Sequence, residues 1–172
     1  DLPREQKNRL EKLRVELARL QQKFSENVLD ATASEEIHIT DEDRLQGIPE
    51  GALGRFRDAA LGKGLEGWIL TLDFPSFEPV MKYATDRTLR EEVHRAYVGR
   101  CKDGEFENTG LIPQILSLRQ EMAQLLGHEN YPDYRLEEAM AKSGARAMAF
   151  EEELVGRTHP YWERDVELLR EF

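Results

Sequence analysis

Apolar and polar positions alternate in blocks along this chain, and the blocks predict helices before any other element. Leu10, Leu13, Leu17, Leu20, Phe24 and Val28 are spaced 3, 4, 3, 4 and 4. That spacing draws one apolar stripe along a helix from about Pro3 to Asp30. A missing N–H at Pro3 does no harm at a helix start. About 28 residues is long for a globular helix, so the stripe calls for a second long helix or a coiled-coil partner. The period then changes. Ile37 and Ile39 alternate with polar neighbours, and "GWILTLDF" sets Trp68, Leu70, Leu72 and Phe74 on one side against Ile69, Thr71 and Asp73 on the other. Both read as short strands, paired as one antiparallel ribbon of about 36–40 with 68–74.

Punctuation residues divide the rest. Thr40, with Asp43 three residues on, caps a short helix that stops near Gly47. Pro49 opens the next helix, and "LGKG" closes it. Ser76 is the expected cap of a helix through Tyr83, and Asp86 of one carrying Leu89 and Val93. "KDGEFENTG" is a loop by composition. Thr109 is the expected start of a helix striped by Leu111, Ile115, Leu118, Met122 and Leu125 and stopped by Gly127. A short helix over Tyr131–Met140 comes next. Ser143 then caps a last long helix, about 144–172, in which Pro160 should introduce a kink. The expected class is mainly α with one short ribbon. The whole reads as a single helical region: a long helix at about 3–30, ribbon and short helices at 31–85, and a helical part at 86–172.

Composition narrows what such a fold does. Charged residues make up 34% and aromatics 8%, which suits amphipathic helices better than a sandwich. The net charge of −10 leaves no electrostatic footprint for nucleic acid. No apolar run approaches the roughly 18 residues of a membrane span, so no membrane partner is expected; the single cysteine fits a reducing compartment, and the expected location is the cytoplasm. Cys101 is the only cysteine, so no intrachain disulfide forms, and no base or orienting group beside it suggests a catalytic thiol. Asp1 is no initiator methionine and the last stripe runs to Phe172, from which a piece of a longer protein is expected.

Candidate chemistry is sparse. "GHENYPDY" opens like a zinc-protease helix, but H-E-x-x-H needs imidazoles at i and i+4, and the position four after His128 is Pro132. Glu91 and His94 share a helix face in the spacing of di-iron bundles, yet Leu125 and Gly156 stand where a second such glutamate would precede His128 and His159. His38 stands alone. Gly62 and Gly64 lack the rest of a phosphate loop. The expected inventory is therefore empty: no catalytic, cofactor-binding or metal-ligating residue.

Several strings carry a resemblance. "LPREQKNRLEKLRVELARLQQKFSENVLDAT", "ITDEDRLQGIPEGAL", "KGLEGWILTLDFPSFEPVMKYATDRTLREEVHRAY" and "LSLRQEMAQLLGHENYPDYRLEEAMAKS" occur in that order. Together they resemble the oligopeptidase A branch of the thimet oligopeptidase family. The resemblance implies a zinc metallo-oligopeptidase parent that cuts short peptides within a channel between two helical halves. It implies that the H-E-x-x-H helix lies beyond these residues. This stretch would then wall the channel, without zinc and without activity of its own. A non-catalytic helical scaffold or adaptor is the competing reading. Self-association is expected through Leu13, Leu17, Leu20 and Phe24, or through Leu154, Trp162 and Leu169, if either stripe lacks a covering partner.

Overall fold

A computed structural model describes residues 2–172. Its elements run α1 (Arg4–Ser34), β1 (Glu36–Ile39), a 3-10 turn (Glu42–Leu45), α2 (Glu50–Gly62), β2 (Trp68–Thr71), α3 (Phe74–Tyr83), α4 (Arg87–Gly99), α5 (Leu111–Leu125), α6 (Tyr131–Leu136) and α7 (Gly144–Glu171). The class is mainly α, with β1 and β2 as a two-stranded antiparallel sheet in which Ile37 faces Leu70 and Ile39 faces Trp68. The chain forms two compact units. One is Ala18–Ile115; the other takes in the chain up to Leu17 together with Leu116–Phe172.

The Ala18–Ile115 unit holds the larger core. Ile37 and Ile39 of β1 meet Trp68 and Leu70 of β2, and this apolar sheet face packs with Ala52 and Phe56 of α2, Val80 of α3 and Leu89 and Val93 of α4. Leu70, Val80, Leu89 and Val93 are completely buried. Fully burying such a side chain stabilises by roughly 1.5–3 kcal/mol. The ribbon's entry depends on Gly67, whose φ is +90°. A Cβ there would lie 2.3 Å from the carbonyl oxygen of Ile39, so the two strands close on a residue without a side chain.

Caps differ from the sequence reading in three places. Asp41, not Thr40, caps the 3-10 turn, with its carboxylate accepting from the Asp43 N–H at 3.0 Å. Helix α3 begins at Phe74 rather than after Ser76, and Phe74 is left 70% exposed. Ser76 is buried within its first turns, where its hydroxyl accepts from the Thr71 N–H at 3.0 Å and ties helix to strand. Helix α5 starts at Leu111, with the N–H groups of Leu111 and Ile112 on the carbonyl of Asn108. Asp86 caps α4 and Ser143 caps α7 as the sequence suggests.

Pro79 sits inside α3 and has no N–H for the carbonyl of Pro75 four residues back. Arg55 of α2 supplies the missing donor, Nη2 to Pro75 O at 3.1 Å, while its Nη1 donates to Gly51 O at 2.9 Å. Helix α7 runs without a break through Pro160.

In the unit that begins at the N-terminus, Leu13 and Leu17 of α1 are buried, as are Met122 and Ala123 of α5. Leu20, in the other unit, is buried too, and Phe24 is half-buried. The stripe of α1 is therefore buried at Leu13, Leu17 and Leu20. Helix α7 has no buried residue at all, and Leu154, Trp162 and Leu169 are exposed. Among the described residues, no helix is long and apolar enough to cross a membrane.

Candidate functional site

The decoy segment is a joint between two helices. Gly127, at φ +88°, ends α5: its N–H reaches Gln124 O and that of His128 reaches Ala123 O, both at 3.0 Å. That double closure puts His128 outside the helix. Asn130 then caps α6, accepting from the Asp133 N–H at 2.9 Å, and Pro132 takes the first turn. Asp133 in turn accepts from the Gly144 N–H at 2.7 Å, fastening the start of α7.

Aromatic rings gather on this joint. The His128 ring meets Tyr134 edge-on at 5.4 Å, Tyr134 lies 5.9 Å from Tyr131, and the Arg119 guanidinium sits 5.2 Å over the Tyr131 ring. Among the described residues, Arg119 Nε is buried without a hydrogen-bond partner. His128 Nε2 lies 3.7 Å from Glu137 Oε2. One imidazole and one carboxylate beyond hydrogen-bond reach do not make a zinc site, which takes three or four ligands.

The other histidines are apart. His38 Nε2 bonds the Glu66 carbonyl at 2.7 Å, and His159 of α7 lies 3.3 Å from Glu163. His94 is exposed on α4 beside Arg87, Arg90 and Glu91. The carboxylate of Glu91 is engaged by Arg95, at 2.8 Å from Nε, and that hydrogen bond holds its pKa below the usual glutamate value. Glu91 thus serves a helix ion pair rather than His94. Among the described residues, no group of three His, Cys, Asp or Glu side chains is arranged to hold a metal ion.

Cys101 borders a surface hollow of about 270 Å³ with Ser34, Glu35, Arg95, Arg100 and Asp103. Its backbone is left-handed at φ +60°, and its Sγ donates to the Asn27 carbonyl at 3.4 Å. No histidine lines the hollow, so it offers the thiol no imidazole base. Beneath lies a polar node that pattern reading missed. Asn27 Nδ2 donates to Asn108 Oδ1 at 2.9 Å and to Glu107 O at 3.3 Å; Asn108 Nδ2 donates to Phe24 O at 3.0 Å. Both amides are buried, at 2% and 3% exposure. The available signal was Asn27 itself, a polar residue seven positions after Leu20 on an apolar stripe. Arg100 extends the node, stacking 3.8 Å over Tyr97 and donating to Thr32 Oγ1 at 2.5 Å. The node fixes the 101–110 loop on α1; it presents no nucleophile, base or open ligand set.

Comparison with known proteins places this geometry. Residues 80–172 match the model of a family described as Peptidase family M3. The chain is 48% identical over 144 residues to organellar oligopeptidase A, chloroplastic/mitochondrial, of Arabidopsis thaliana, covering 80% of this chain and 18% of that protein. It is 41% identical over 176 residues to oligopeptidase A of Escherichia coli (strain K12), covering 99% of this chain and 26% of that protein. A thimet-like oligopeptidase of Dictyostelium discoideum is 29% identical over 153 residues, covering 89% and 22%. The chain thus spans no more than 26% of the length of these relatives.

Proposed function

The chain belongs to peptidase family M3, in its oligopeptidase A branch, and we propose that its parent protein is a zinc metallo-oligopeptidase that hydrolyses short peptides. The observation that carries this reading is the 41% identity to a bacterial oligopeptidase A across 99% of the chain. In this reading the present residues wall part of a channel. Packed helices around a channel exclude folded proteins and admit short, extended peptides, which fits the peptide class.

The residues present do not fit the zinc centre. His128 faces a single carboxylate at 3.7 Å, and Pro132 occupies the position of the second imidazole. No step of hydrolysis is therefore assigned to any of them. The zinc ligands and general base belong to the remainder of the parent, and this chain alone neither binds zinc nor cleaves peptides. A cytoplasmic location is part of the proposal; it is supported by a relative named probable cytosolic oligopeptidase A, while another relative is named organellar.

The test uses the 172-residue chain and the full parent side by side, with an internally quenched short peptide and metal analysis. The expected result is one zinc per parent, hydrolysis abolished by chelator, and neither property in the chain alone. A parent without zinc and without hydrolysis overturns the reading and leaves the helical adaptor. Stoichiometric zinc with hydrolysis in the chain alone overturns the assignment of the chemistry to the remainder.

A further inference from the structure

Asp103 and Gly104 stand in the loop between α4 and α5, and theirs is the one step in the sequence where an aspartate or asparagine is followed by glycine. Such a step carries chemistry of its own. The backbone nitrogen after an aspartyl residue can attack the side-chain carbon Cγ and close a five-membered succinimide. A Cβ on the following residue crowds the attacking nitrogen, and glycine has none. Attack also needs a carboxyl group and an amide that no partner holds in place.

The fold meets those needs here and denies them elsewhere. Asp103 and Gly104 are both exposed, within a run of bends. Among the described residues, neither the Asp103 carboxylate nor the Gly104 N–H has a hydrogen-bond partner. Gly104 lies at φ +80°, and the space beside it is empty to 4 Å, so a ring has room. By contrast, Asp41, Asp86 and Asn130 are held as helix caps and Asn108 is buried. Each of these four also precedes a residue with a side chain.

The step lies inside a span closed at both ends. The Asn108 N–H donates to Cys101 O at 2.9 Å, Asn108 Nδ2 donates to Phe24 O at 3.0 Å, and the Cys101 thiol rests on Asn27 O. A change in main-chain length between Cys101 and Asn108 therefore falls between fixed anchors.

We propose that Asp103–Gly104 is a self-modifying step at which this chain isomerises to isoaspartate. Gly104 N bonds to Asp103 Cγ, and the amide proton leaves with the carboxyl hydroxyl as water. A second water then adds to the α-carbonyl carbon of Asp103 and breaks its bond to Gly104 N. One water leaves and one enters, so the mass is unchanged. The main chain now runs through Cβ and Cγ and is one atom longer, and Asp103 presents a free α-carboxylate. That carboxylate is the acceptor for a carboxyl methyltransferase that uses S-adenosylmethionine. Nothing in this chemistry depends on the peptidase reading.

The 172-residue chain and a synthetic peptide of residues 93–105 are held for days at mildly alkaline pH, and the chain is then cleaved after glutamate to release 93–105. The segment from the aged chain is expected as two peaks of equal mass, with a minor third lighter by one water. Methyl groups delivered by an isoaspartyl carboxyl methyltransferase are expected on one of the two equal-mass peaks. Exposed loops open at almost no cost, so the rate in the chain should fall within about tenfold of the rate in the free peptide. Asp103→Glu, whose longer side chain would have to close a six-membered ring, is expected to melt with the wild type and to give a single peak. A chain that isomerises more than about tenfold more slowly than the peptide overturns the proposal, because the fold would then protect the step. So does a second equal-mass peak that persists in Asp103→Glu, or methyl acceptance confined to other segments. In the isomerised fraction the Asn108 amide is expected to exchange faster than in fresh chain; an unchanged rate overturns the claim that the added atom strains the anchored span.

Discussion

Arg9 and Glu121 meet through two parallel hydrogen bonds, Nε to Oε1 at 2.6 Å and Nη2 to Oε2 at 2.7 Å, 112 residues apart in the chain. The pair joins the first half of α1 to the second half of α5. The hydrogen bond from Arg9 holds the Glu121 carboxyl below its ordinary pKa. A lowered folded-state value means that the pair's contribution is fully present above the ordinary glutamate pKa. It fades as pH falls through the lowered one. Because both side chains are near half exposed, salt also weakens it. The difference in Tm between wild type and Glu121→Gln is therefore expected to be largest near neutral pH and low salt, and to vanish on acidification. Melting curves across an acid series check this; a difference that grows toward low pH contradicts it.

Arg55 is expected to matter only while residue 79 is proline. Its Nη2 takes the place of the N–H that Pro79 cannot offer to Pro75 O. Arg55→Ala should cost about 0.5–1.5 kcal/mol in the natural sequence. In a Pro79→Ala background the restored N–H satisfies the carbonyl, and the same substitution should cost clearly less. A double-mutant cycle by urea unfolding gives the answer, and equal costs in both backgrounds would sink the account.

Gly67→Ala is expected to be among the most damaging single-methyl changes. It combines a left-handed backbone with a Cβ 2.3 Å from Ile39 O, at the pairing of Ile39 with Trp68. A cost of about 2 kcal/mol or more is expected from strain and lost pairing. Gly64 also has positive φ but opens on free space, so Gly64→Ala should cost less. Equilibrium unfolding of the two variants compares them, and the reverse order would be inconsistent with a closed ribbon entry.

Asn108→Ala removes the donor to Phe24 O and the acceptor for Asn27 Nδ2, both in a buried node. The expected cost is about 1–3 kcal/mol. Faster amide exchange should appear along residues 101–110 while β1 and β2 remain protected. Loss of protection in the ribbon at the same rate would show that the loop and the ribbon open together.

The helices were legible because an apolar stripe at helical spacing leaves few other ways to bury itself; Leu13, Leu17 and Leu20 in α1 and Leu89 and Val93 in α4 are buried as their spacing requires. The ribbon was legible because Ile37 and Ile39 alternate with polar neighbours and Trp68, Leu70 and Leu72 alternate in the second strand segment, although the strand itself ends at Thr71. Caps were less so. Thr40 and Asp41 are both capping residue types, and it is the Asp41 carboxylate that accepts from the Asp43 N–H. Ser76 looks like a cap until the Thr71 N–H claims its hydroxyl. Phe74 continues the alternation of its strand in sequence, but the chain has already turned into α3 and leaves it in solvent. The polar node was illegible for a stronger reason: nothing local in "ENVLD" announces a partner at Asn108. The family resemblance came from long ordered strings, whereas His128-Glu129 showed how little a two-residue match carries.

The separation of 81 residues between Asn27 and Asn108 also sets a clock on the ribosome. Chains grow at about 5–20 residues per second, so Asn27 is made roughly 4–16 s before its partner exists. Through that interval the second half of α1 lacks its buried amide partner, and a helix draws most of its stability from the packing of its apolar face. The nascent segment therefore passes through a window in which holdase chaperones find an apolar stripe interrupted by one asparagine, and the arrival of the 101–110 loop closes that window.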